Sequence, residues 1–153
     1  MDTALPSKLL AVQHHQIDQG VAGIVDGSGT PAALAAALQL LRQHLYVEEA
    51  ALFPPLAKTG LAMPVFVMQR EHGQMWPLIT GLEAACAAGT GRDALRADAD
   101  KLLMLLKMHN PKEEQIVYAA ADRYEPAHPD APLVAAMAAA HMPDGWVCAN
   151  APH

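Results

Sequence analysis

Four histidines and two glutamates stand where an apolar helical pattern would otherwise continue: His14, His44, Glu48, His72, His109 and Glu113. In RQHLYVEEAALFPPL, residues 42–56, His44 precedes Glu48 by four positions; in HNPKEEQIVYAAAD, residues 109–122, His109 precedes Glu113 by four. Positions i and i+4 of an α-helix lie about 6 Å apart along the axis on one face. Each pair can therefore act as one two-pronged ligand. Imidazole nitrogen and carboxylate oxygen together suit iron, zinc or manganese. An exposed ion pair would account for either pair taken alone. With 16 acidic residues in 153, about one His in ten meets an acid at i+4 by chance. Three of the eight do so here, His14 with Asp18 being the third.

The elements that must position these side chains are helices. Ala and Leu dominate a hydrophobic fraction of 52%, aromatics are 5%, and runs of Val, Ile and Thr are scarce. Four long segments are expected. The first is Ser7 to Val25, closed by DGSGTP. The second is capped by Thr30 with Pro31 in its first turn and runs to about Phe53. The third starts near Met63 and Pro64 and ends at AAGTG, residues 87–91. The fourth runs from Arg92 to about Tyr124. EPAHPDAP reads as a linker, LVAAMAAAHM as a shorter helix and PDGWVCANAPH as a tail. Short connections favour antiparallel neighbours. The expectation is an all-α, up-down-up-down four-helix bundle over residues 1–125, with 126–153 covering one end or flank.

A bundle helix buries a stripe spaced alternately by three and four. These stripes read Leu10, His14, Ile17, Val21, Ile24; Leu34, Leu38, Leu41, His44, Glu48, Ala51; Val65, Met68, His72, Met75, Ile79, Leu82; and Leu102, Leu105, His109, Glu113, Ile116, Ala120. Each carries one His near mid-length. Four lone buried imidazoles at one depth would be costly, because each needs a polar partner. Metal satisfies them together. Four His and two Glu exceed one tetrahedral zinc, and no thiolate joins them. Two irons bridged by the carboxylates fit the set, with manganese or zinc as substitutes. The Glu-x-x-His spacing of ferritin-like sites is absent from all four stripes.

At this point the chain resembles the hemerythrin-like family of HHE cation-binding domains. The resemblance rests on HHQID, HLYVEEAALFPPL, REHG and HNPKEEQIVYAAAD and spans about residues 10–122. It implies an antiparallel four-helix bundle with an oxo- or hydroxo-bridged di-iron centre held by His14, His44, Glu48, His72, His109 and Glu113. Oxygen carriers of the family have a fifth His one turn after the third-helix His, where this chain has Trp76 in HGQMWP. The site is thus closer to bacterial relatives with four His and two Glu, some of which handle nitric oxide or help repair iron–sulfur centres. The repair proteins carry a Cys-bearing N-terminal domain that these residues do not include.

Several choices stay open in the sequence. His14 competes with His15, and only His14 sits on the stripe. Glu113 competes with Glu114. Asp18, Glu49 and Glu114 are either exposed or hydrogen-bonded to an imidazole N–H. Pro111 and Pro77 should each bend their helix beside the site. Tyr46, Tyr118 and Trp76 could line the cavity, Trp76 filling a coordination position with bulk. His128, His141 and His153 read as surface residues. Cys86 and Cys148 fit no metal motif and read as free thiols in a reducing, cytoplasmic setting. MDTALPSKLL has no signal-peptide pattern, and no apolar run reaches membrane-spanning length. A net charge of −6 without a basic cluster argues against nucleic acid. The functional expectation is a small protein that binds, senses or detoxifies O2, NO or peroxide, with no redox partner specified and no general acid or base for organic substrates. Storage or delivery of iron or zinc, and a metal-free helical interaction module, are the alternatives.

Overall fold

Proline-opened, Ala- and Leu-rich segments fold here as helices. The computed structural model describes residues 5–152, and among them no strand forms. Helix α1 spans Pro6–Asp26 and α2 Pro31–Val47. A π-helical turn at Glu48–Leu52 leads into the short α3, Phe53–Leu56. The chain then reverses at Thr59 and Gly60, whose φ of +95° suits glycine. Helix α4 spans Ala62–Ala87 and α5 Arg92–Lys112. A second π-helical turn, Glu113–Tyr118, leads into α6, Ala119–Ala127, and α7 follows at Leu133–Ala139. Helices α1 and α4 each pack against both α2 and α5, which closes the four-helix bundle. Thr30 Oγ1 accepts the Ala33 N–H at 3.1 Å with Pro31 in the first turn, as its spacing predicts.

The stripes of α1 and α4 are buried along their whole length. The other two need correcting downstream of their glutamates. Ala51 is only half-buried and Leu52 takes its place. Ile116 is 49% exposed while Val117 and Tyr118 are fully buried, and ahead of Glu113 it is Leu106 rather than the half-buried Leu105 that lies in the core. The π turns are the physical reason for the downstream shifts. The Phe53 N–H reaches back five residues to the Glu48 carbonyl, so the turn holds an extra residue and the buried face moves on. Pro54 and Pro55 have no N–H to offer, and their rings would meet carbonyls four residues back in an ordinary helix. Pro111 likewise stands just ahead of the second π turn. Pro77 removes one helix hydrogen bond, yet α4 continues through it as one helix.

The apolar core is in two parts. One holds Ile17, Leu41, Leu45, Met75 and Leu106. The other holds Leu10, Leu52, Phe53, Met68, Val117 and Tyr118. Between them, on every long helix, lies the layer of buried His and Glu. Contrary to the sequence reading, Pro31–Ala87 taken as one run contains an 18-residue window of mean hydropathy 1.4. The reversal at Thr59 and Gly60 divides that run into two helices packed in the bundle.

The tail lies along the flank of α2 and α4. Trp146 packs edge-on against Trp76 at 5.4 Å and against Tyr46 at 5.2 Å. Cys148 is buried there, and both cysteines are free thiols. Gly73 is where α4 and the tail touch: a Cβ on it would stand 2.3 Å from the Asn150 carbonyl oxygen. Gly81, on the same helix, faces open space. Gly73→Ala should therefore destabilise the fold by about 1–3 kcal/mol through overpacking. Gly81→Ala should leave it unchanged or gain about 0.5–1 kcal/mol. Urea unfolding midpoints of the two variants check the contrast.

Candidate metal centre

All six side chains named from the sequence converge in the layer that splits the core. His14 comes from α1, His44 from α2, His72 from α4 and His109 from α5, with Glu48 and Glu113 at the starts of the two π turns. All are buried, and Glu48 and Glu113 are 0% exposed. Their donor atoms form two groups that share both carboxylates. His14, His44, Glu48 and Glu113 are one; Glu48, His72, His109 and Glu113 are the other; within each group the atoms lie within 4.8 Å of one another. His15, by contrast, is exposed. The Glu114 side chain is 40% exposed.

The imidazoles are held from behind. His44 Nδ1 donates to Gln13 Oε1 at 2.7 Å, His72 Nδ1 to Glu49 Oε2 at 2.7 Å and His109 Nδ1 to Glu71 Oε1 at 2.8 Å. His14 is the exception: its Nδ1 faces Glu114 Oε1 at 3.7 Å, beyond hydrogen-bond reach, and has no partner. Each acceptor comes from the preceding helix in the ring α1, α2, α4, α5, and each is the immediate sequence neighbour of a layer residue. Such anchoring fixes the tautomer and aims Nε2 inward. The inward contacts are with carboxylate oxygens: His14 Nε2 to Glu113 Oε1 at 3.1 Å, His44 Nε2 to Glu48 Oε2 at 3.3 Å, His72 Nε2 to Glu48 Oε1 at 3.3 Å and His109 Nε2 to Glu113 Oε1 at 3.4 Å. With Nδ1 as the N–H, a neutral ring turns a lone pair toward oxygen lone pairs. Only a proton or a cation makes that arrangement favourable.

Protons would do so at a cost. Burial pushes His109 toward the neutral form, but the charge and hydrogen bond of Glu113, aided by Glu71, carry its pKa up to about 10. Burial is likewise outweighed at His72 by Glu48 and Glu49, giving about 8. Burial alone would raise Glu113, yet His109 and His14 hold it well below the usual carboxylate range. Even so, Glu48 Oε1, His72 Nε2 and Glu113 Oε2 have no hydrogen-bond partner despite full burial. The 3.3 Å approach of His72 to Glu48 is not aligned as a hydrogen bond. The donor set, its depth and these orphaned atoms all fit cations.

Other residues complete the surroundings. Asp18 accepts from Asn110 Nδ2 at 3.3 Å and makes no hydrogen bond to an imidazole. Glu49 also accepts the tail's Ala149 N–H at 2.9 Å. Trp76 lies between Trp146 and the Arg42 guanidinium, 4.6 Å from its ring. Tyr46 is on the same flank, while Tyr118 points its hydroxyl into the layer. His128 and His141 are exposed, and His153 lies outside the described residues. Gln13 and Glu71 were not singled out from sequence. Their signal is the ±1 offset from a layer residue, which becomes legible only when the neighbouring helix is known.

Comparison with known proteins gives a family match: the model described as the hemerythrin HHE cation-binding domain covers residues 5–121. No curated protein and no solved structure matches.

The elevated histidines carry a sign. Their folded-state values of about 8 and 10 exceed the usual 6.5, so their contribution is complete below about pH 6.5 and is lost as pH rises through 8 toward 10. Chelator-treated protein should lose urea resistance steadily from about pH 6.5 to 10. A midpoint that holds or rises over that range would contradict this reading of the layer.

Proposed function

Because the chain belongs to the hemerythrin HHE cation-binding family, we propose that it is a non-heme di-iron protein that binds, senses or detoxifies O2, NO or peroxide. The observation that carries the metal reading is the orphaned trio Glu48 Oε1, His72 Nε2 and Glu113 Oε2, buried together on one side of the layer. In this reading His14 and His44 hold one iron and His72 and His109 the other. Glu48, with Oε2 toward His44 and Oε1 toward His72, and Glu113, whose Oε1 faces both His14 and His109, would serve both. Bound there, the pair supplies two linked one-electron centres at which a small oxidant or diatomic ligand can be bound and reduced. Nitrogen and oxygen ligands also admit zinc or manganese.

The chain's own residues set the conditions. Gln13, Glu49 and Glu71 keep the Nε2 lone pairs pointed inward, and a hydrogen bond from imidazole to carboxylate raises its strength as a ligand. The two apolar clusters exclude water above and below the layer. Burial on all sides favours a tightly held centre over one that releases metal for storage or delivery.

Protein purified from iron-supplemented cells should contain about two irons per chain and show near-ultraviolet oxo-to-iron charge transfer that changes on adding NO or O2. His44→Ala and His109→Ala should each drop iron content and lower the melting temperature, since metal binding adds to folding free energy. Gln13→Ala and Glu71→Ala, which each remove the acceptor behind an imidazole, should weaken iron binding by about 10–100-fold. Wild-type metal content no higher than that of the alanine variants overturns the proposal. Rapid loss of iron to a chelator without any response to gas favours storage instead.

A further inference from the structure

Tyr118 places one oxygen at the middle of four candidate ligand atoms. Its Oη lies 2.6 Å from Glu48 Oε2, 2.7 Å from Glu113 Oε1, 2.9 Å from His14 Nε2 and 3.1 Å from His44 Nε2. The side chain is fully buried, and its ring stacks on His14 with centroids 5.3 Å apart. These four neighbours are the four residues of the first ligand group.

A phenol cannot satisfy all four by hydrogen bonding. It has one proton to give and two lone pairs to accept with. Two of the neighbours are carboxylate oxygens, so the single proton leaves one oxygen–oxygen contact without a hydrogen. The imidazoles are no better served, because His44 spends its Nδ1–H on Gln13. Its Nε2 can donate to Oη only by taking up a second proton. Four electron-rich atoms gathered around a fifth describe a coordination position more closely than a hydrogen-bond network.

Resting on the di-iron reading above, we infer that Tyr118 is itself a metal ligand, its phenolate oxygen bound to the iron held by His14 and His44. On coordination the O–H bond breaks, an oxygen–iron bond forms and the proton passes to solvent; no electron is transferred. The two metal positions are then chemically unlike. On the other side the aromatic residue is Phe53, stacked on His72 at 5.6 Å and without a donor atom. That is also the side of the three orphaned atoms. The position open to an external ligand is therefore the one between His72 and His109, while Tyr118 closes the other.

The test is visible absorption with resonance Raman spectroscopy on the full chain loaded with iron(III). Wild type should show a phenolate-to-iron charge-transfer band whose Raman-enhanced ring modes shift when tyrosine is ring-deuterated. Tyr118→Phe should keep its iron by metal analysis and lose both band and modes. The other two tyrosines stand away from the layer, Tyr46 against Trp146 and Tyr124 stacked on His128. The Tyr46→Phe, Tyr124→Phe double variant, with Tyr118 as its one tyrosine, should keep the signal, which covers the case of a Tyr118→Phe that does not fold. Iron-loaded wild type with no deuterium-sensitive ring modes overturns the inference and leaves the di-iron reading intact. Protein that takes up no iron overturns both.

Discussion

Two carboxylates with no exposure to water, set in the middle of a helical bundle, are the constraint on which the rest of the structure turns. An ionised carboxylate taken from water into an apolar interior is expensive unless it is paired or bound to metal. Here two of them share one layer, which adds mutual repulsion. Four imidazoles meet that charge, and the lone-pair geometry of those imidazoles in turn calls for a positive species between nitrogen and oxygen. The apolar clusters on both sides make the requirement stricter, since they keep out the water that could otherwise solvate the layer.

The orientation of the layer is built from neighbour to neighbour. Gln13 of α1 holds His44 of α2, Glu49 just after α2 holds His72 of α4, and Glu71 of α4 holds His109 of α5. The offset from the layer residue alternates, one before on α1 and α4 and one after beside α2. That is what antiparallel helices require, because a step backward on one runs alongside a step forward on the next. The tail joins the same chain of contacts. The N–H of Ala149 holds Glu49, so the segment after the bundle is linked to the ring of His72 through a single carboxylate.

Much of this was legible in the sequence, and the failures have a common origin. Thr30 with Pro31, the glycine at the α3–α4 reversal and the apolar spacing locate the helices. The His spacing brings all six layer residues to one depth, and burial separates His14 from His15 and Glu113 from Glu114. What strict three-and-four spacing could not foresee is the pair of π turns, which exposes Ile116 and buries Val117 and Tyr118 instead. The prolines of FPP and HNP were visible, but whether a helix bends, widens or absorbs a proline depends on its neighbours, as the unbroken course of α4 through Pro77 shows. Tyr118 could thus be named only as one of three aromatics able to line the cavity, although its hydroxyl lies at the centre of the first group. Gln13 and Glu71 act across a helix boundary and left no periodic trace.

We infer that cations, not protons, complete the buried layer, and anomalous diffraction at the iron edge from crystals of iron-loaded protein is the decisive experiment. Two peaks are expected in the layer, one between His14 and His44 and one between His72 and His109, with Glu48 and Glu113 reaching both. A layer without anomalous density, its imidazoles and carboxylates joined only to each other, would contradict the account.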